Sequence, residues 1–437
     1  MNQEEVLPRA YNAACDLIGR NPAAGWGKEW IPSKGEGHMN NLGKSVTRRR
    51  FLQGTAGIAL AACPFGAPLV LAQPARLKIG LMLPYSGTYA ALGNAITNAF
   101  KLYVAEQGGK LAGREVEYVV LDDESDPAKG VDNANRIVNR DKVDVLIGTV
   151  HSGVQAGMVK VSRDSGVLSI IPNAGFGAAT GALCAPNIFR TSFSNWQTTY
   201  ALGKVMWEKG HKTCAWITHK YAAGEEMFGG FKEGYEKAGG RIVRDFWLPF
   251  PNVEFQALLT DIGATKPDAV ACFFAGGAAV KFVKDYDAAG LKAKIPLFGN
   301  GFLTDGTLSA QGASAQGILT TLHYADSLEI PKDKEFRLGY AKAYKLQPDV
   351  YAVQGYDAAQ LLDIGLKATR GDIRSQKDMV KAMEGVTIDS PRGKWKMSRA
   401  HNPIQDSYLR QVVGEQNKYI GVAWKALEDP ARGCKMA

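Results

Sequence analysis

Ser152 is the residue of this chain best placed to grip an anion. It stands between His151 and Gly153, just past the apolar run Val143 to Ile147 and at the start of a stretch that reads as a helix. A hydroxyl there joins the free backbone N–H groups of the helix start, which favour a carboxylate by hydrogen bonding and by their partial positive charge. The same hydroxyl could cap its own helix, and the two roles can coexist. His151 and His323 could donate to a phenol or a carboxylate, or simply be satisfied elsewhere. Tyr85, Tyr89, Phe176, Trp196, Tyr221, Phe302 and Tyr324 fall in or beside the loops that follow apolar runs. A planar aromatic ligand would gain from stacking and apolar burial against them, although clefts are commonly aromatic whatever they bind. The chain has no phosphate loop, no dinucleotide glycine fingerprint, no His-Glu-x-x-His and no nucleophile elbow, so an enzyme is not expected.

These residues need elements to hold them. From Leu77 onward, short apolar runs alternate with amphipathic stretches, the pattern of parallel strands joined by helices. Leu77–Leu83, Val116–Leu121, Val143–Ile147 and Val167–Ile171 read as strands, and Asp126-Pro127 as a helix start with the aspartate as cap and the proline in the first turn. The rhythm restarts with Thr213–Thr218, Arg241–Trp247, Ala269–Phe274 and Ile295–Gly299. Three helical stretches, 332–345, 351–369 and 376–383, should return to the first half, and 393–397 and 408–413 read as closing strands of the second. The expected fold is α/β, two doubly wound parallel-sheet lobes joined by a multi-strand hinge. Residues 73–192 plus 325–398 are assigned to lobe 1, and 193–324 plus 399–437 to lobe 2.

Residues 1–72 are read as an N-terminal extension and a signal peptide. Thr47-Arg48-Arg49-Arg50-Phe51-Leu52-Gln53 followed by an apolar run to Ala72 resembles a twin-arginine export signal, and Val70-Leu71-Ala72 suits cleavage before Gln73. Leu60-Ala61-Ala62-Cys63 also resembles a lipoprotein box, but the tether after it would be too apolar to lie in water, so simple cleavage is preferred. Met39 is suited to be the true start. The location expected is periplasmic. Counting 52 Lys+Arg and 43 Asp+Glu in the whole chain, the part after Ala72 retains a mild, interspersed excess of positive charge, so nucleic acid is not an expected partner. Cys184, Cys214, Cys272 and Cys434 are too widely spaced for a compact metal site; Cys214 and Cys272 read as small buried hydrophobes, and Cys184 could form a disulfide whose partner the spacing does not reveal. No metal or cofactor is expected.

Leu83-Pro84-Tyr85-Ser86-Gly87, Asp122-Asp123-Glu124-Ser125-Asp126-Pro127, Ile147-Gly148-Thr149-Val150-His151-Ser152-Gly153, Gln354-Gly355-Tyr356-Asp357-Ala358 and His401-Asn402-Pro403-Ile404-Gln405-Asp406 appear in that order along the chain. Together they resemble the type I periplasmic solute-binding proteins of the Leu/Ile/Val-binding class, over nearly all of the chain from Lys78 onward. The resemblance implies a monomer that delivers a small carboxylate ligand to the permease and ATPase subunits of an ABC importer by hinge closure. It also implies that the loop Asn173, Ala174, Gly175 donates backbone groups to the carboxylate, beside the candidate ligand-binding residues Tyr85, Ser86, His151 and Ser152. Tyr221 would close over the ligand from the other lobe, beside Trp196, Asn300 and Phe302. Amino-acid binders of the class keep acids at the first crossover and after a late strand of the second lobe, where this chain has Ser194-Asn195-Trp196-Gln197 and Gly299-Asn300-Gly301-Phe302. Neither stretch contains one, although Glu225, Glu226 and Asp305 are near. A benzoate-like or phenylpropenoate-like acid is therefore preferred to a branched-chain amino acid; a ligand sensor for a signalling partner is a further alternative.

Overall fold

The computed structural model describes residues 76–437. The arginine motif, the apolar run, the cleavage site after Ala72, Cys63 and Met39 lie outside the described residues.

The first sheet holds β1 (Leu77–Leu83), β2 (Lys110–Leu111), β3 (Arg114–Asp122), β4 (Val145–Gly148), β5 (Leu168–Ile171) and β6 (Ile188–Arg190), in the order β2-β3-β1-β4-β5-β6. All its pairings are parallel except the short hairpin of β2 with β3. Between these strands run α1 (Ala90–Glu106), α2 (Pro127–Asn135) and α3 (Ser152–Ser165). Asp126 caps α2 as expected, its carboxylate accepting from the Ala128 N–H at 2.9 Å with Pro127 in the first turn.

The chain crosses to the second sheet and adds α4 (Asn195–Glu208), β7 (Thr213–Lys220), α5 (Ala222–Ala238), β8 (Arg241–Pro249), α6 (Gln256–Thr265), β9 (Ala269–Phe273), α7 (Gly276–Ala288), β10 (Leu297–Asn300), α8 (Leu308–Gln311) and β11 (Leu319–Leu322). It then returns to pack α9 (Pro331–Tyr344), α10 (Val350–Ala368) and α11 (Gln376–Glu384) with the first lobe. Gly355 lets α10 cross α1 closely, because a Cβ there would lie 2.2 Å from the Ile96 carbonyl oxygen. The Tyr103 hydroxyl donates to Asp363 at 2.9 Å across the same seam. Finally β12 (Thr387–Ile388), β13 (Trp395–Met397), β14 (Pro403–Val413) and β15 (Gln416–Leu427) extend the second sheet, β14 pairing antiparallel with β11, β13 and β15.

Both sheets share one plan. In the first, β3-β1-β4-β5-β6 and in the second, β8-β7-β9-β10-β11 run parallel, so strand order reverses between β1 and β4 and again between β7 and β9. Ligands of open parallel sheets sit beyond the carboxyl ends of the strands at such reversals. β15 and the short β2, β6, β11 and β12 were not foreseen from the sequence pattern. β15 is an outer strand exposed along most of its length, so it lacks the alternation that betrays a half-buried strand.

Segments 191–194, 323–330 and 385–386 lead between the two halves, and a buried polar lattice ties the first of them to residues 392–405. Arg392 donates to the carbonyls of Thr191 at 2.6 Å and Ser192 at 3.2 Å. Gln405 reaches the same Ser192 carbonyl at 2.6 Å, and Arg190 donates to Asn402 at 2.8 Å. A disulfide joins Cys184, in the first lobe, to Cys434 near the end of the chain. Cys214 and Cys272 are buried free thiols whose pKa burial pushes well up, consistent with inert packing.

Candidate functional site

A narrow cavity lies between the carboxyl ends of the two sheets. Its lining follows the topology strand by strand: Tyr89 after β1, Val150 and Ser152 after β4, Asn173 and Gly175 after β5, Phe193 and Asn195 after β6. From the second sheet come Tyr221 and Ala223 after β7, Phe273 and Ala275 at the end of β9, and Phe302 after β10, with Leu92, Met227 and Tyr351 completing the wall. The starts of α1, α3, α4, α5, α7 and α10 all contribute. Their dipoles give the cavity a positive bias without a single charged lining residue.

The first-lobe wall is organised around α3. His151, not Ser152, is its cap: the His151 Nδ1 accepts from the Gly153 N–H at 3.1 Å. Ser152 is thereby free of that duty, and its hydroxyl accepts from the Asn195 amide at 3.2 Å. Burial holds the His151 pKa down to about 4, so the ring is neutral and packs against Tyr221 and Phe250, each at 4.9 Å between centroids. The next loop is held by Arg190, fully buried, whose guanidinium donates to the Ala174 carbonyl at 3.2 Å, to Thr180 at 2.8 Å and to the Phe176 carbonyl. The Ala174 N–H is already given to the Thr149 carbonyl at 2.9 Å. Gly175 must be glycine: a Cβ would stand 2.3 Å from the Asn195 side-chain oxygen. Asn173 donates to Gln354 at 2.7 Å.

Several contacts bridge the lobes. The Tyr89 and Tyr221 hydroxyls are 3.1 Å apart, and burial raises the pKa of both, so both stay protonated phenols. Glu226, on α5, accepts from the Gly177 N–H at 2.9 and 3.1 Å and from Asn195 at 2.6 Å. Burial raises its pKa, while those donors and Arg190 pull the other way.

Of the residues expected from the sequence, the structure gathers Ser152, Asn173, Gly175, Tyr221 and Phe302 around the cavity. It places the rest outside the lining. Tyr85 gives its N–H to Asp122 at 2.8 Å and pairs its hydroxyl with Thr97 at 2.8 Å, and Ser86 is exposed. His151 and Ala174 support the wall from behind. Trp196 stacks on Tyr200 at 4.3 Å and donates to Glu233 at 2.8 Å on the outer side. Asn300 is buried and accepts from the Phe302 N–H at 3.0 Å, which orients that ring. Sequence reasoning missed Phe193, Asn195, Phe273 and Tyr351. The first two lie at the crossover and the start of α4, and Tyr351 lies in the first turn of α10, which only the return of that helix brings to the cavity.

A sequence model described as periplasmic binding protein matches residues 76–417. The chain belongs to this family. Among curated relatives, Leu/Ile/Val-binding protein homolog 6 of Brucella melitensis is 30% identical over 349 residues, 77% of this chain and 87% of the relative. Among solved structures, an ABC transporter solute-binding protein from R. palustris, in complex with benzoate, is 50% identical with a TM-score of 0.81, covering 82% of this chain and 99% of the other. Another from Rhodopseudomonas palustris BisB5, in complex with 3,4-dihydroxybenzoic acid, is 30% identical with a TM-score of 0.77, covering 82% of this chain and 99% of the other. The two hinged lobes are thus those of a periplasmic binding protein that serves an ABC transporter with a small-molecule ligand.

Proposed function

We propose that the protein binds a small aromatic carboxylate, of which benzoate-like acids fit best, and delivers it to the permease and ATPase subunits of an ABC importer. One observation carries this reading: the cavity has aromatic walls and helix starts but no charged lining residue. An amino acid would bring an ammonium group into that space, and a buried cation without a carboxylate partner is costly. A single anion meets N–H dipoles and hydroxyls instead. The resemblance to a benzoate-bound structure at 50% identity supports the same choice.

The mechanism is closure: contacts from both lobes favour the closed state, and the ligand shifts the equilibrium by its differential affinity. No chemistry on the ligand is proposed. The working form is a monomer in the periplasm, exported through the twin-arginine-like signal, with lobes divided as assigned above except that residues 387–397 go with the second sheet.

The second reading, a branched-chain amino acid ligand, draws on the curated relatives' names and on Glu226, which stands beside Asn195 at the cavity edge. Against it, the Glu226 carboxylate already accepts from Gly177 and Asn195. A thermal-shift screen decides. A ligand present at about 1,000 times its dissociation constant adds about 4 kcal/mol of stability to the folded form, so benzoate should raise the melting midpoint and leucine should not. The converse result would overturn the aromatic assignment.

Ser152→Ala removes one hydroxyl from the carboxylate end while Asn195 keeps Glu226 as partner. A hydrogen bond to a charged group contributes about 1.5–3 kcal/mol, so benzoate affinity should fall by roughly ten- to a hundredfold with the melting midpoint of the empty protein unchanged. Calorimetric titration of the variant checks it, and undiminished affinity would remove Ser152 from the site.

A further inference from the structure

Tyr351 lines the cavity from the first turn of α10 and is 1% exposed. Its ring stacks on Phe302 at 5.6 Å. Its hydroxyl finds no hydrogen-bond partner among the described residues, although the neighbouring polar groups of the cavity are committed: Tyr89 to Tyr221, Asn173 to Gln354, Asn195 to Ser152 and Glu226. A buried hydroxyl left unpaired costs about 1–3 kcal/mol, a cost that a ligand carrying the right group would remove.

The surroundings say which group. Near Tyr351 stand two acids, the buried Asp305, paired with Arg410 at 2.6 Å, and the half-buried Asp349, which caps α10 by accepting from the Ala352 N–H at 3.0 Å. After burial itself, these carboxyls are the largest influences that push the Tyr351 pKa up. A second anion at that spot would be repelled, whereas a neutral hydroxyl can both donate to and accept from a phenol. The carboxylate belongs with the helix starts, and Tyr351 is left for a different substituent.

Resting on the aromatic-acid reading, we propose that the preferred ligand carries a hydroxyl on its ring and that Tyr351 selects for it. Sites built to hydrogen-bond a ligand hydroxyl discriminate strongly against the analogue without one, because their own polar atom is then stranded.

Calorimetric titration of benzoate, 3-hydroxybenzoate and 4-hydroxybenzoate against the exported protein and its Tyr351→Phe variant tests this. At least one hydroxybenzoate should bind the unaltered protein on the order of tenfold to a hundredfold more tightly than benzoate. In the variant that advantage should vanish, the hydroxybenzoates falling to the affinity of benzoate. Benzoate binding as tightly as both hydroxybenzoates to the unaltered protein would overturn the proposal without needing the variant at all. So would an advantage that survives in Tyr351→Phe. Binding of leucine with no response to any of the three acids would instead bring down the aromatic-acid reading beneath it.

Discussion

Replacing Arg392 by methionine should destabilise the protein by about 3–5 kcal/mol, the usual cost of stranding one member of a buried ion pair. Arg392 and Asp357 are 1% and 0% exposed in their side chains and 3.2 Å apart. Burial pulls both toward neutrality, the arginine pKa down to about 10 and the aspartate up to about 6, each opposed by the partner's charge. The pair therefore adds little over an apolar filling, yet its loss is expensive. Without the guanidinium, Asp357 keeps only Ser390 and Trp395 as donors, and the crossover carbonyls of Thr191 and Ser192 lose theirs. Urea unfolding measures the effect. Arg392→Met combined with Asp357→Asn should recover part of the loss, because no unpaired charge remains. A loss below about 1 kcal/mol for the single change would show that the lattice is not a hinge support.

Asp349→Asn should make the protein more stable than the unaltered chain above neutral pH. Burial pushes the Asp349 carboxyl up to about 7, with Asp305 and Asp326 adding to the rise and the Ala352 N–H opposing it. An unfolded aspartate titrates near 3.9. The folded state therefore holds the extra proton between those values, so this group's contribution is full below about pH 4, falls as pH rises, and is gone above about pH 7. Three pH units correspond to a change of about 4 kcal/mol at most. Asparagine caps a helix as well as aspartate does and carries no charge to bury, so the variant should lack this part of the slope. Unfolding curves of both proteins from pH 5 to 8 provide the check, and parallel stability profiles would refute the assignment.

The architecture was legible because its signals are local and repeated. β1 runs over the expected Leu77–Leu83, and Asp126-Pro127 opens α2. The two-lobed parallel plan follows from strands alternating with helices. β15 escaped because an exposed outer strand such as Gln416–Leu427 leaves no buried alternate face to read. The site was legible in part, through residues that end a strand or begin a helix: Ser152, Asn173, Gly175, Tyr221 and Phe302. Tyr85 and Ser86 follow a strand too, but the Asp122 carboxylate ties the Tyr85 backbone away from the cavity, a pairing 37 residues apart in sequence. Asn195 and Tyr351 depend on where a crossover and a returning helix land, which no local pattern encodes. The partner of Cys184 was of the same kind, since it lies 250 residues away.

That bond has a topological consequence. With Cys184 joined to Cys434, the whole second sheet and the helices that return from it belong to a covalent ring, and the lobes cannot part by unravelling from the carboxyl end. A protease that cut any single exposed loop within the ring would leave one molecule of undiminished mass until a reductant released the pieces.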